Sequence, residues 1–464
     1  MPQIFNIIAK LCSYIIDQNE NDTLFVNFSC ISESANEQIR QDVLRSIPVL
    51  FSSDNGARPE IRQLHKTDLD NKFFENLNEH IAALKKSSDY YGLIGLLQVL
   101  DEVLETILKD KIKDFQSDDF SVVLNTNREI TGIGLLPRCS CIWERKNRLS
   151  HSYNRLDSFL YNFLMVKNSV LGDLIDKHFF LPYGFFKGFD SHRSLKIAAT
   201  PLRLERHYDL LLNEYDKVMY FGVNYPELFC SGDNELIWNK ITEASEHGCD
   251  IIVFPELLGN PYTAEYVSSR LKALNEKEQA KIPSLIILPS VLSDKQNKAA
   301  IIDRTGKILC TQSKQNPFRY IIGNNGFLEE IVPNLVVNIF HYKEIGRIAV
   351  LICKDFITTK YMEQLMRYFK LTLIIVPSFS TGSYDFRQSF DLCAHEDCNV
   401  VWINTCAAIE KGKEMNFENI GYVRKRIGRN DDEMQKLCKM PICRDALNGK
   451  CTHSCIYYET IRGV

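Results

Sequence analysis

Between residues 195 and 405 the chain carries eight short, strongly apolar runs, and this series restricts its fold more tightly than any other feature. They read LKIAATPL, CDIIVFPE, SLIILPSVL, KAAIIDRTGKIL, NLVVNIF, GRIAVLIC, LTLIIVPSF and NVVWINT. Runs of this length, rich in Val and Ile, suit strands buried on both faces. Amphipathic stretches lie between them, among them residues 234–247 and 360–369, and each leads by a short connection into a strand. Strands alternating with helices specify an α/β layered domain.

The chain before residue 190 reads differently. Residues 73–84 and 93–112 place apolar side chains at three- and four-residue intervals, as amphipathic helices require. The first 22 residues hold Lys10 inside an apolar stretch with no small-residue cleavage pattern after it, so they read as a packed helix and not as a signal peptide. SVVL and GIGLL flank the polar NTNRE within residues 120–136, which predicts a hairpin with Cys139 and Cys141 just beyond it. Gly184, Gly188 and SHRS then mark a boundary near 190. A chain of 464 residues exceeds one ordinary domain. The division is a mainly helical domain, 1–190, and an α/β domain, 191–464, ending in a Cys-rich segment, 438–455.

Composition removes some functions. No apolar run approaches the ~18 residues that span a bilayer, so no membrane segment is expected. A net charge of −4 and a pI near 6.2 give no general attraction to nucleic acid or anionic lipid. Fifteen cysteines scattered over so long a chain form no small-domain disulfide framework, and a reducing cytoplasm is the expected setting.

Three runs end in residues whose chemistry is unusual for the place. IIVFPE closes in Glu256, and a carboxylate directly after an apolar strand loses solvent, which raises its pKa toward the range of a general base. A solvated loop carboxylate is the plain alternative. RIAVLIC closes in Cys353, a nucleophile or an inert core thiol. Lys314 follows AAIIDRTGKILCTQS and, taken alone, is a surface charge.

Taken together, these strings resemble the nitrilase (carbon-nitrogen hydrolase) superfamily. FPEL resembles its glutamate motif, NKAAIIDRTGKIL with SKQNPF its lysine segment, and GRIAVLICKDF its cysteine motif, followed by LTLIIVPSFS and NVVWINT. The spacings, 58 positions from Glu256 to Lys314 and 39 from Lys314 to Cys353, agree with it. The resemblance implies a nitrilase-like four-layer α-β-β-α sandwich that associates into at least a homodimer. It also implies hydrolysis of a small amide or nitrile without metal or organic cofactor. In that scheme Cys353 attacks as thiolate, Glu256 shuttles protons, and Lys314 steadies the oxyanion and lowers the thiol pKa. The backbone N–H of Lys354 is the candidate second oxyanion donor.

Some features depart from the pattern. Relatives often carry a second glutamate, for which QNPFRYIIGNNGFLEE offers Glu329 or Glu330. Lys354 adds positive charge beside the nucleophile, a hint of an anionic substrate set against a merely solvated side chain. Cys438, Cys443, Cys451 and Cys455, with His453 among them, have gaps of four, seven and three residues; zinc, free thiols and disulfides all remain open. The basic stretch 422–429, YVRKRIGR, offers a phosphate or acidic-partner contact against a solvated face. Two rival functions follow. One is a catalytically silent member of the fold, a binding or regulatory module in a larger assembly. Such modules accompany bacterial antiphage reverse transcriptases, though nothing here resembles a polymerase motif. The other is a zinc-dependent nucleic-acid binder, which the acidic balance disfavours.

Overall fold

The computed structural model describes residues 2–19, 23–52, 60–116, 123–144, 154–409, 419–426, 435–452 and 454–462. Contacts gather into two units: residues 1–140, 145–172 and 178–180 form one, and residues 141–144, 173–177 and 181–464 the other.

The first unit is mainly helical. Tyr90–Val103 is buried along nearly its whole length, through Leu93, Ile94, Leu96, Leu97 and Leu100, so the other helices pack around it. Pro2–Asp17 contributes Ile4, Phe5, Ile8, Leu11 and Ile15 to the same core, as expected of a packed helix. The helix read over 93–112 is two, Tyr90–Val103 and Glu105–Phe115, divided at Leu104. The expected hairpin over 120–136 is corrected. Arg128–Thr131 is a helical turn closed by Gly132 at φ 65°, and Ile133–Pro137 pairs antiparallel with Phe163–Lys167 instead. Residues 120–122 of that stretch lie outside the described residues. Asp101 secures the distant partner strand, its carboxylate accepting from the backbone N–H groups of Tyr161, Asn162 and Phe163 at 2.7–3.0 Å. Burial pushes that carboxyl up to about 6, against the downward pull of the same three hydrogen bonds.

The second unit is α/β. Its first sheet runs Val291–Ser293, Gln296–Asp303, Leu285–Ile287, Ile251–Val253, Ser194–Ala199 and Tyr457–Arg462, with Ile308–Ser313 also paired to Gln296–Asp303. Ser194–Ala199, Ile251–Val253 and Leu285–Ile287 are parallel neighbours, and antiparallel strands flank them. The second sheet repeats this plan. Gly346–Val350, Leu373–Pro377 and Asn399–Ile403 are parallel, flanked by Val336–Tyr342 on one side and by Asn419–Arg426 and Gln435–Pro441 on the other.

Both sheets are covered on both faces, which is why their strands read as unbroken apolar runs. Side chains alternate across a strand. Ala198, Ile252, Ile286 and Ile302 pack with Ile237, Ile241, Val267 and Leu271 of the helices Glu227–Glu246 and Thr263–Ala273. Their neighbours Ile197, Ile251, Val253 and Ile287 are equally buried toward the opposite side. On the second sheet Phe386 and Phe390 of the helix Phe386–His395 meet Trp402 and Tyr422 at 4.8 and 5.8 Å between ring centres. Helix, sheet, sheet, helix is the layering this burial describes. No described helix is long and apolar enough to cross a membrane.

Candidate active site

Glu256 and Cys353 both lie just past the carboxyl ends of central parallel strands, Ile251–Val253 and Gly346–Val350, where α/β sheets collect their ligand groups. Each turn departs from ordinary backbone. Leu257, the residue after Glu256, has φ 62°, and Cys353 itself has φ 45° and ψ −99° where strand gives way to the short helix Lys354–Ile357. A non-glycine residue held at positive φ is strained and persists only where its surroundings fix it. Here the Cys353 N–H donates to the Pro377 carbonyl at 2.9 Å, and the Leu257 N–H to the Ser290 hydroxyl at 3.0 Å.

Between these turns four side chains form one hydrogen-bonded group. The Lys314 ammonium donates to Glu256 Oε1 at 2.8 Å and to Glu329 Oε2 at 2.6 Å. Asn297 Nδ2 spans the same two carboxylates, at 2.8 Å to Glu256 Oε1 and 2.9 Å to Glu329 Oε1. Backbone N–H groups complete them, Phe379 on Glu256 and Phe318 on Glu329. The Cys353 thiol donates to the Phe379 carbonyl at 3.9 Å and lies within the electrostatic reach of both Glu256 and Lys314. Exposure is 1% for Glu256 and Glu329, 2% for Lys314 and 3% for Cys353, so every charge here relies on its partners and not on water.

Burial raises the Glu256 carboxyl above its ordinary range; Lys314 pulls it back and Glu329 pushes it up again. For Lys314 burial alone would lower the pKa, but the two carboxylates outweigh it and the ammonium stays charged. The expectation that Lys314 lowers the thiol pKa is corrected in its net result. Burial and then the Glu256 charge push the Cys353 thiol well up, and the opposing pull of Lys314 does not offset them. At rest the sulfur is therefore a neutral thiol near a buried carboxylate. A lysine has three donors and two are taken by carboxylates, which leaves one for a substrate oxygen. The Lys354 N–H opens its helix, a position with no intrahelical acceptor.

Of the two glutamates read as alternatives, the structure brings Glu329 to the site and not Glu330. Neighbours on a strand point to opposite sides. Glu329 turns inward opposite Phe221, whereas Glu330 pairs with Lys295 at 2.9 Å and accepts from Asn213 at 3.3 Å. Asn297 escaped the sequence reading, although it occupies an inward position of Gln296–Asp303 shared with the apolar Ala299 and Ile301. Asp355 escaped it as well. Fully buried beside Cys353, its carboxylate accepts from the Gln315 and Asn316 N–H groups at 2.8–3.1 Å and so clamps the loop that carries Lys314. Burial pushes its carboxyl up to about 7, against those bonds. Asp355→Ala is expected to lower kcat by about ten- to a hundredfold with less change in KM, since small displacements of a catalytic group cost that much. Asp355→Asn, which keeps one carbonyl acceptor, should retain most of the rate; equal losses in the two variants, measured by steady-state kinetics, would contradict a positioning role.

A four-stranded sheet roofs the group, in the order Arg319–Ile322, Asn325–Glu329, Val218–Asn224 and Asp209–Tyr215. Beneath it a small cleft of about 40 Å³ has Glu256, Lys314 and Glu329 as its polar floor. Tyr208, Phe221, Tyr320 and Phe379 are prominent in its walls, with Arg206 among them. The Lys354 side chain takes no part in that lining.

The four late cysteines, for which sequence leaves zinc, free thiols and disulfides open, are gathered only in part. Cys443 and Cys451 have sulfurs 3.5 Å apart, with Cys455 and the unforeseen Cys406 near them. Cys438 is instead held opposite Val423 by the pairing of Gln435–Pro441 with Asn419–Arg426. Among the described residues no group of three or more His, Cys, Asp or Glu side chains is placed to hold a metal ion, so zinc at Cys438, Cys443, Cys451 and Cys455 is not supported; His453 lies outside the described residues. The basic stretch is also spent internally. Arg424 pairs with Asp391, Lys425 with Glu459 and Arg426 with Asp397, while residues 427–429 lie outside the described residues.

No sequence-family model and no curated protein matches the chain. Among solved structures it is similar to a variant of the Nesterenkonia AN1 amidase from the nitrilase superfamily, at 16% identity over 55% of this chain and 94% of that one, with a TM-score of 0.35. It is similar also to Saccharomyces cerevisiae Nit3, a member of branch 10 of the nitrilase superfamily, at 13% identity over 58% and 90% of the two chains, with a TM-score of 0.32. The C. elegans NitFhit protein matches at 15% identity over 58% of this chain and 61% of that one, with a TM-score of 0.31. Each likeness spans about half of the chain, and the case for what the site does rests on its own side chains.

Proposed function

We propose that the second unit is a nitrilase-type hydrolase that cleaves a non-peptide C–N bond of a small amide through a thioester on Cys353, with a nitrile as the narrower option. The observation that carries this reading is the buried Lys314 ammonium shared between Glu256 and Glu329 beside the buried Cys353 thiol. The Cys353 sulfur attacks the carbonyl carbon as its proton passes to Glu256. The free Lys314 donor and the Lys354 N–H hold the oxyanion. Glu256 returns the proton to the departing nitrogen, the C–N bond breaks, and ammonia or an amine leaves. Water then adds to the thioester, its proton going to Glu256 and on to the sulfur as the C–S bond breaks. Glu329 keeps Lys314 in place and charged throughout.

The test is acyl transfer. With a panel of short aliphatic, aromatic and carboxylate-bearing amides, the full chain should release ammonia and, when hydroxylamine is added, form the matching hydroxamate. Both products should disappear in Cys353→Ala. Turnover that persists in that variant, or a panel that yields neither product, would overturn the reading in favour of a silent module.

A further inference from the structure

We infer that the substrate carries a carboxylate and that Arg206 is the residue that binds it; this rests on the hydrolase reading above. The cleft has four charged residues in its lining: Arg206, Glu256, Lys314 and Glu329. The last three satisfy one another and together hold a surplus negative charge, which alone would repel an anion. Arg206 is the counterweight. Its Nε donates to the Ala407 carbonyl at 2.8 Å, and among the described residues no carboxylate pairs with its remaining N–H groups.

Its position is fixed in advance. The guanidinium sits 5.3 Å from the ring centre of Phe379, the residue whose own N–H holds Glu256. Phe379 thus contacts the cation through its ring and Glu256 through its backbone. The segment on either side is anchored: Arg203 pairs with Asp233 at 2.8 Å, and His207 contacts the same carboxylate at 2.7 Å while stacking on Phe229. A planar donor fork held over an aromatic face suits a carboxylate better than a neutral group. The walls nearby, Tyr208, Phe221 and Tyr320, are aromatic, so an anion inside has few competing partners. The positive charge that sequence suggested at Lys354 is supplied to the cleft by Arg206.

The test uses matched alkylating pairs, iodoacetate with iodoacetamide and 3-iodopropanoate with 3-iodopropanamide, on the full chain, with labelling mapped by peptide mass spectrometry. The exposed Cys30 is the internal reference. For at least one pair the acid-to-amide rate ratio at Cys353 should exceed that at Cys30 by about tenfold or more, the worth of one charge-assisted hydrogen bond. Arg206→Gln should return the ratio to that of Cys30, and Arg206→Lys should fall between. A ratio no higher than at Cys30 for both pairs, or one unchanged in Arg206→Gln, would overturn the carboxylate assignment and leave the hydrolase reading standing. No labelling of Cys353 by any of the four reagents would remove the hydrolase reading and this inference with it.

Discussion

Cys353→Ala and Glu256→Gln are each expected to lower kcat on any amide the chain turns over by about a thousandfold or more, with the fold intact. The two losses should not add, because the thiol and the carboxylate act as a unit. Burial and the Glu256 charge keep the sulfur protonated, and in the proposed mechanism the nucleophile forms only as Glu256 takes its proton. Glutamine keeps the shape and an acceptor but cannot take a proton. The double variant, assayed beside the singles, should therefore be no slower than Cys353→Ala alone. A Glu256→Gln enzyme within about tenfold of the wild type would show that the proton goes elsewhere.

Lys314→Met is expected to destabilise the second unit by about 3–5 kcal/mol at pH 8, because it leaves two buried carboxylates without their cation. The loss should depend on pH in a defined direction. Glu256 already has a raised pKa, and removing Lys314, which pulls it down, raises it further. A carboxyl raised above its unfolded value contributes stability that is present below that value, near 4.5, and is lost as pH rises through the folded value. Denaturant midpoints of Lys314→Met should therefore approach those of the wild type near pH 5 and separate from them toward pH 8. Adding Glu256→Gln and Glu329→Gln to Lys314→Met removes the unpaired charges and should recover much of the loss at pH 8 without recovering activity. A single variant whose deficit is flat across this range would locate the cost in lost packing instead.

The parts of this account that sequence made legible share a physical cause. A strand buried on both faces must be apolar throughout, so a polar residue at its end stands out, and Glu256 and Cys353 were found that way. Lys314 came from its order between them. What stayed hidden depends on register or on convergence in space. Glu329 and Glu330 are equivalent in sequence and are separated only by the pairing of Glu329 with Phe221. Asn297 reads as an ordinary strand residue until two distant carboxylates meet at its amide, and its one signal was an inward place among apolar neighbours. The roof over the cleft was missed because its hairpin turns on Asp216 and Lys217, both at positive φ, where Asn-Gly would have announced the turn. The late cysteines are the converse case. Closeness along the chain left one shared site open, but strand pairing holds Cys438 opposite Val423, and Cys406, distant in sequence, lies near the other three.

The central claim is that Glu256 activates Cys353 within the buried group, and it can be tested without knowing the substrate. The full chain, wild type and Glu256→Gln, would be treated with limiting iodoacetamide near neutral pH and the labelled cysteines followed over time by peptide mass spectrometry. The account predicts that Cys353, despite its burial, labels ahead of the other cysteines in the wild type and falls among the slowest in Glu256→Gln. A Cys353 that stays unlabelled in the folded wild type, or that labels equally fast without the Glu256 carboxylate, would contradict it.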